Sequence, residues 1–134
     1  MDVVDLDGNT HKWSLRGHIA KGSINKKSSL HLKARDLIRT KFPTLQILEE
    51  VPIPCRRNET LYLDFYLPLK ELCIEVHGEQ HYKFSSFFHG TRLNFVKHKK
   101  RDKNKKNWCN LNGITIIELP YNKIDKWDEI VDNE

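Results

Sequence analysis

Between Leu61 and Tyr82 the chain reads LYLDFYLPLKELCIEVHGEQHY, two apolar/polar alternations broken at Pro68-Leu69-Lys70, and such a pattern folds around a β-hairpin. In the first run Leu61, Leu63, Phe65 and Leu67 share one side, which sends Tyr62, Asp64 and Tyr66 to the other. In the second, Leu72, Ile74 and Val76 oppose Cys73, Glu75 and His77. Asp64, Glu75 and His77 are therefore expected on one face of neighbouring antiparallel strands. Two carboxylates on an otherwise apolar sheet repel unless a proton or a cation intervenes. A Mg²⁺ ion answers that need and keeps positions for water and phosphate oxygens. The competing reading is an ordinary solvated sheet face. The run His77-Gly78-Glu79-Gln80-His81 favours a site, with Gly78 letting the backbone turn and His81 returning toward His77.

The flanks supply layers for this hairpin. Ser28 or Ser29 caps a helix to about Phe42, with Leu30, Ala34, Leu37 and Ile38 inward and His31 beside them; Lys33, Arg35, Arg39 and Lys41 fall on other faces. Leu45 to Ile53 reads as a first strand, in which Glu49 or Glu50 must face inward or bend the chain. Glu50 is the weaker candidate for the acidic cluster. Of Phe84, Phe87 and Phe88, two are expected to plug the core and the third is open to stacking on bases. A long helix from Arg92 to Asn112 ends at Gly113, and seven of the ten residues from Lys97 to Lys106 are Lys or Arg. Lys97, Lys99, Lys100, Arg101, Lys103 and Lys106 read as phosphate contacts. Asp102 lies seven residues from both Phe95 and Cys109, on the inward stripe, where it either steadies a histidine or forms an intrahelical ion pair. Ile114 to Leu119 is a continuous apolar strand expected to be buried on both faces, and Asn122 to Val131 a terminal helix with Ile124, Trp127 and Val131 inward. At the N-terminus Asp7-Gly8-Asn9 turns a small hairpin, and the lysine-bearing stretch from Ala20 to Lys27 reads as a basic loop able to touch phosphates.

A length of 134 residues fits one core, and a formal charge of +5 points to a polyanionic partner. Three cysteines, odd in number and without a CxxC pair, indicate neither a disulfide framework nor a zinc finger, and the expected location is a reducing cytoplasm. No apolar run approaches the roughly 20 residues of a membrane span, and none has the form of a secretory signal, so no membrane association is expected.

The order helix, three strands, helix, strand, with Asp64 on the second core strand and Glu75-Val76-His77 on the third, resembles the PD-(D/E)XK nuclease superfamily, with His77 in place of its usual lysine. A sharper resemblance is to the very-short-patch-repair endonucleases and the EDxHD homing endonucleases. It rests on Asp64, Val76-His77-Gly78, His81, Arg101-Asp102 and the strand after Gly113, covering roughly Ser28 to Leu119. The resemblance implies an αβββαβ sandwich with a mixed central sheet and metal-dependent hydrolysis of a DNA phosphodiester, in nicking, homing, repair or junction-resolving form. It implies one nuclease-like domain, residues 1–134: hairpin and basic loop at 1–27, core at 28–119, terminal helix at 120–134. Asp64 would be the principal metal ligand, joined by Glu75 and the Val76 carbonyl, for Mg²⁺ with Mn²⁺ as a substitute. His77 would activate water or stabilise the phosphate, His81 would be its partner, Asp102 would match the last acid of the pattern, and His31 or Glu50 would stand for the helical glutamate. The cysteines that hold a structural zinc in the short-patch enzymes are not matched, so no structural zinc is expected. The rival readings are a DNA-binding module on the same fold without turnover and an accessory protein docking on an acidic partner.

Overall fold

The computed structural model describes residues 1–15 and 28–134. The basic loop expected at Ala20 to Lys27 lies outside the described residues. In chain order the elements are β1 (Asp2–Val4), β2 (Thr10–Lys12), α1 (Ser29–Lys41), β3 (Leu48–Arg56), β4 (Glu59–Leu67), β5 (Leu72–His77), α2 (Ser86–His89), α3 (Arg92–Leu111), β6 (Thr115–Pro120) and α4 (Trp127–Asp132). Strands β3, β4 and β5 form an antiparallel meander, and β6 lies parallel to β5. A parallel neighbour needs a long crossover, which here carries α2 and α3. The chain is thus mixed α/β around a four-stranded mixed sheet, with β1 and β2 as a separate two-stranded hairpin.

Each face of the sheet has its own core. Ala34 and Ile38 of α1 and Trp127 and Val131 of α4 pack with Phe65, Leu67, Leu72 and Ile74. On the other face, Trp108 and Cys109 of α3 pack with Val3, Trp13, Tyr66 and Cys73. The N-terminal hairpin belongs to this second core: Trp13 meets Trp108 edge-on at 5.2 Å, and Asn112 bridges both backbone groups of Val4. Buried Asp5 holds the hairpin turn by accepting from His11 Nε2 (2.7 Å) and from the amides of Asp7 and Asn9. The bond from His11 outweighs burial and holds the Asp5 carboxyl down at about 2.

Helix ends follow their caps. Ser28 Oγ accepts from the His31 amide, Thr91 Oγ1 accepts from the Asn94 amide, and Gly113 takes φ +72° just past α3.

Several expectations require correction. The apolar stripe of β4 does not keep to one side: Leu61 and Leu63 join Tyr66 in the α3-side core, while Phe65 and Leu67 join the α1-side core. The switch falls where Glu50, at φ +51°, stands between the paired residues Glu49↔Phe65 and Val51↔Leu63, and so opposite Asp64. A left-handed residue interrupts the pleat there. Strand β6 is an edge strand and not doubly buried, because β5 covers one side alone; Ile116 and Ile117 are half-buried against the two cores. Arg35, assigned to an outer face, is buried. Ile124 is exposed, since Tyr121–Lys126 is a 3₁₀ segment that does not continue the period of α4. Phe84 alone is half-buried; Phe87 and Phe88 are exposed, because α2 is one turn long and only its His89 reaches inward. Gly78 is extended (φ −73°), and a Cβ there would meet only the flexible Gln80 side chain.

Candidate functional site

The site grows from a place where the sheet opens. Strands β4 and β5 pair at Leu67↔Leu72, Tyr66↔Cys73 and Phe65↔Ile74, and the ladder stops at the next pair, Asp64 and Glu75. Their side chains take over the missing ladder bonds. The Asp64 amide donates to Glu75 Oε2 at 2.6 Å, and the Val76 amide donates to Asp64 Oδ2 at 2.9 Å. An N–H and C=O of one extended residue point the same way. The Val76 carbonyl therefore faces the β4 side, where the Asp64 carboxylate sits.

Helix α3 closes the opening from above. Lys105 Nζ lies 2.8 Å from Glu75 Oε1, so both oxygens of that buried carboxylate are engaged. Burial and the charge of Asp64 push the Glu75 carboxyl up, against the opposing pull of Lys105. Burial works against the Lys105 charge, but Glu75, Asp64 and Asp102 raise its pKa on balance. Lys105 was not among the residues singled out from sequence, because within a lysine run nothing distinguishes the one that turns inward. Its place three residues after Asp102 on the same face was the available signal.

The histidines form a second group beside the first. His77, at the end of β5, stacks on His81 with ring centroids 4.2 Å apart and planes 4° from parallel. His81 Nδ1 is 2.8 Å from Asp102 Oδ2, and His77 Nδ1 is 3.4 Å from Glu118 Oε2 on β6. Asp102 thus serves a histidine and not an intrahelical ion pair. Burial raises the Asp102 carboxyl, but the His81 bond and the charges of His77 and Lys105 bring it below its ordinary value. The bond to His77 carries Glu118 down to about 2, with Lys106 adding to it. An open cavity of about 800 Å³ is lined by Asp64, His81, Asp102 and Lys105, with His98 and Arg101 at its wall. His77 lines a smaller adjoining cavity of about 210 Å³, which shares His81 and Asp102 with the first.

His31 enters from the opposite layer. Its ring stacks on Phe65 at 4.5 Å, and its Nε2 lies 2.6 Å from Glu49 Oε1. Arg35 grips the same carboxylate through Nε and Nη2, both at 2.9 Å. Burial raises Glu49, but His31 and Arg35 overcome it and hold the carboxyl at about 2. His31 lines a cavity of about 430 Å³ with Asp64 and Val76, so Asp64 borders this cavity as well as the large one. Glu50 lines the large cavity with Asp64. Of the α3 cations, Lys97, Lys99, Lys100, Arg101 and Lys103 are exposed, whereas Lys106 is paired with Glu118.

The Asp64 carboxylate and the Val76 carbonyl are the oxygen donors that would hold a hard divalent ion such as Mg²⁺, which takes one or two protein oxygens and completes its shell with water and phosphate. Glu75 joins such a set only if Lys105 releases it.

No family model matches the chain, and no solved structure matches it. Three curated viral proteins, each described as uncharacterized, are similar over about half of it. Protein 307L of Invertebrate iridescent virus 6 is 42% identical over 64 residues, which is 48% of this chain and 32% of that protein. Protein 033L of Invertebrate iridescent virus 3 is 38% identical over 64 residues, 48% of this chain and 33% of its own length. Protein 094L of Frog virus 3 (isolate Goorha) is 41% identical over 65 residues, 48% of this chain and 42% of its own length. The matched stretch spans well under half of each relative. Among the described residues no helix is long and apolar enough to cross a membrane.

Proposed function

We propose that this chain is a Mg²⁺-dependent DNA endonuclease of PD-(D/E)XK type, akin to the short-patch-repair and EDxHD enzymes. The observation that carries the reading is the shared cavity in which Asp64, at a break in the sheet, faces the His81–Asp102 pair and Lys105. Asp64 and the Val76 carbonyl would hold the ion, which when bound would supply Lewis-acid polarisation of a phosphodiester and a more acidic water. His81, oriented by Asp102, moves a proton at its free ring nitrogen, and His77 stacks against its ring. Lys105, which lines the same cavity and pairs with Glu75, would offset charge developing on the scissile phosphate. Lys99, Lys103 and Arg101 on the exposed side of α3 hold the DNA backbone, which fixes register without reading sequence.

One observation favours a second reading, a DNA-binding module without turnover. Lys105 occupies the position beside Glu75 that a cation would otherwise neutralise. Supercoiled plasmid incubated with Mg²⁺, Mn²⁺ or EDTA separates the two. Metal-dependent nicking by wild type that vanishes in Asp64→Ala supports the nuclease. DNA binding without nicking in any metal supports the module.

A further inference from the structure

Beside the large cavity, and sharing His81 and Asp102 with it, lies the smaller one of about 210 Å³. We propose that this smaller cavity binds the terminal phosphomonoester of a nucleic-acid strand. Helix α3 serves the two cavities with neighbouring stripes. His98, Arg101 and Lys105, spaced i, i+3 and i+7, line the large one, and Lys99, Lys103 and Lys106, spaced i, i+4 and i+7, line the small one. Ammonium groups gathered over one hollow repel each other unless negative charge stands among them.

The balance of charge selects the anion. Of the two carboxylates in the lining, Glu118 is engaged by Lys106 and His77, and Asp102 by His81. Lys99 and Lys103 form no ion pair among the described residues; Lys99 lies only over the Phe95 ring, at 5.6 Å. Two uncompensated cations match a phosphomonoester, which carries about −1.5 to −2 at neutral pH, better than a diester with its single charge. Tyr82 adds a hydroxyl to the lining, and burial, with the charges of Glu118 and Asp102, pushes it up to about 12, so it keeps the proton it donates to a phosphate oxygen. The volume falls below the roughly 300–1,000 Å³ of pockets that enclose a whole small molecule, which suits a phosphate group with its sugar and base outside. On an uninterrupted strand the same two lysines meet backbone diesters; at a strand end one monoester takes both. Hydrolysis of a diester leaves a monoester on one side of the break, so on the nuclease reading the cavity retains that product end. That consequence rests on the nuclease reading; binding itself does not.

The test uses the full-length protein in EDTA at constant ionic strength, with a short, internally labelled single-stranded oligonucleotide displaced by unlabelled ones of the same sequence. These carry a 5′-phosphate, a 3′-phosphate or hydroxyls at both ends, so the arms also tell which end is held. The site predicts that at least one phosphorylated form binds about tenfold tighter than the hydroxyl-ended form, the worth of a charge-assisted hydrogen bond. That preference should vanish in Lys99→Gln with Lys103→Gln. It should survive in Lys97→Gln with Lys100→Gln, which removes the same charge from exposed residues of the same helix that do not line the cavity. Equal binding of all three forms by wild type, or equal loss of the preference in both double variants, overturns the site. Preference without any plasmid nicking in Mg²⁺ or Mn²⁺ would keep the site and remove the nuclease reading, and nicking without preference would do the reverse.

Discussion

Glu49 and Asp102 each face a histidine and yet have different work, set by their other partners. Glu49 is held by Arg35 and His31, all three nearly excluded from solvent. Removing one member of such a group strands the others, which typically costs about 3–5 kcal/mol. Glu49→Ala should lose about that much in urea unfolding, and a loss under 1 kcal/mol would contradict the assignment of a buried ion pair. The sign of its pH dependence follows. Glu49 falls from its ordinary 4.5 to about 2 on folding, so its contribution is complete above pH 4.5 and is lost as pH drops from there toward 2. Acid titration of Glu49→Gln should show a shallower loss of stability than wild type across that window. On the nuclease proposal, His81→Gln and Asp102→Asn should instead lower turnover by about 10²–10⁴-fold while DNA affinity stays near wild type. Equal loss of affinity and turnover would make them DNA contacts. The inward turn of His31 was legible from its spacing to Ala34 and Ile38. Arg35 was not, because an arginine on a helix carries no sign that a carboxylate on the following strand will draw it in.

At the level of elements, α3 does two jobs with two faces. Trp108 and Cys109 anchor it to the sheet, Asp102 and Lys105 reach the site, and Lys99 and Lys103 stay in solvent. Each phosphate contact on duplex DNA contributes about 0.9 to the slope of log affinity against log salt. Lys99→Gln with Lys103→Gln should therefore reduce that slope by about 1.8, read by filter binding or anisotropy across a salt series. Lys106→Gln should change it little, since Glu118 already neutralises that charge. An unaltered slope in the double variant would return α3 to a solvated face. The run of cations made this helix visible in sequence, as alternation made β4 and β5 visible. The division of the β4 stripe between two cores was not, because it depends on the left-handed turn of Glu50 on the neighbouring strand. The edge position of β6 was likewise hidden, since an apolar run records burial by helices and strands alike.

For the whole molecule, the fold brings together residues from Asp64 to Asp102 by stopping one ladder and laying one helix over the gap. Position in sequence announced the individual residues, but the lysine that completes the group and the sharing of His81 and Asp102 by two cavities needed three dimensions. The N-terminal hairpin is part of this scaffold through Trp13, which stands against both Trp108 and Tyr66. Trp13→Ala should cost about 3–5 kcal/mol of stability, and a chain as stable as wild type in thermal unfolding would show the hairpin to be dispensable. The central claim, that an ion at Asp64 drives phosphodiester hydrolysis, is tested most directly by the cleavage rate of saturated protein–DNA complexes on addition of Mg²⁺. Wild type should cleave with Mg²⁺ and not with EDTA, and Asp64→Asn should bind the same DNA without cutting it. Cleavage by Asp64→Asn at the wild-type rate, or none by wild type in any divalent metal, would contradict it.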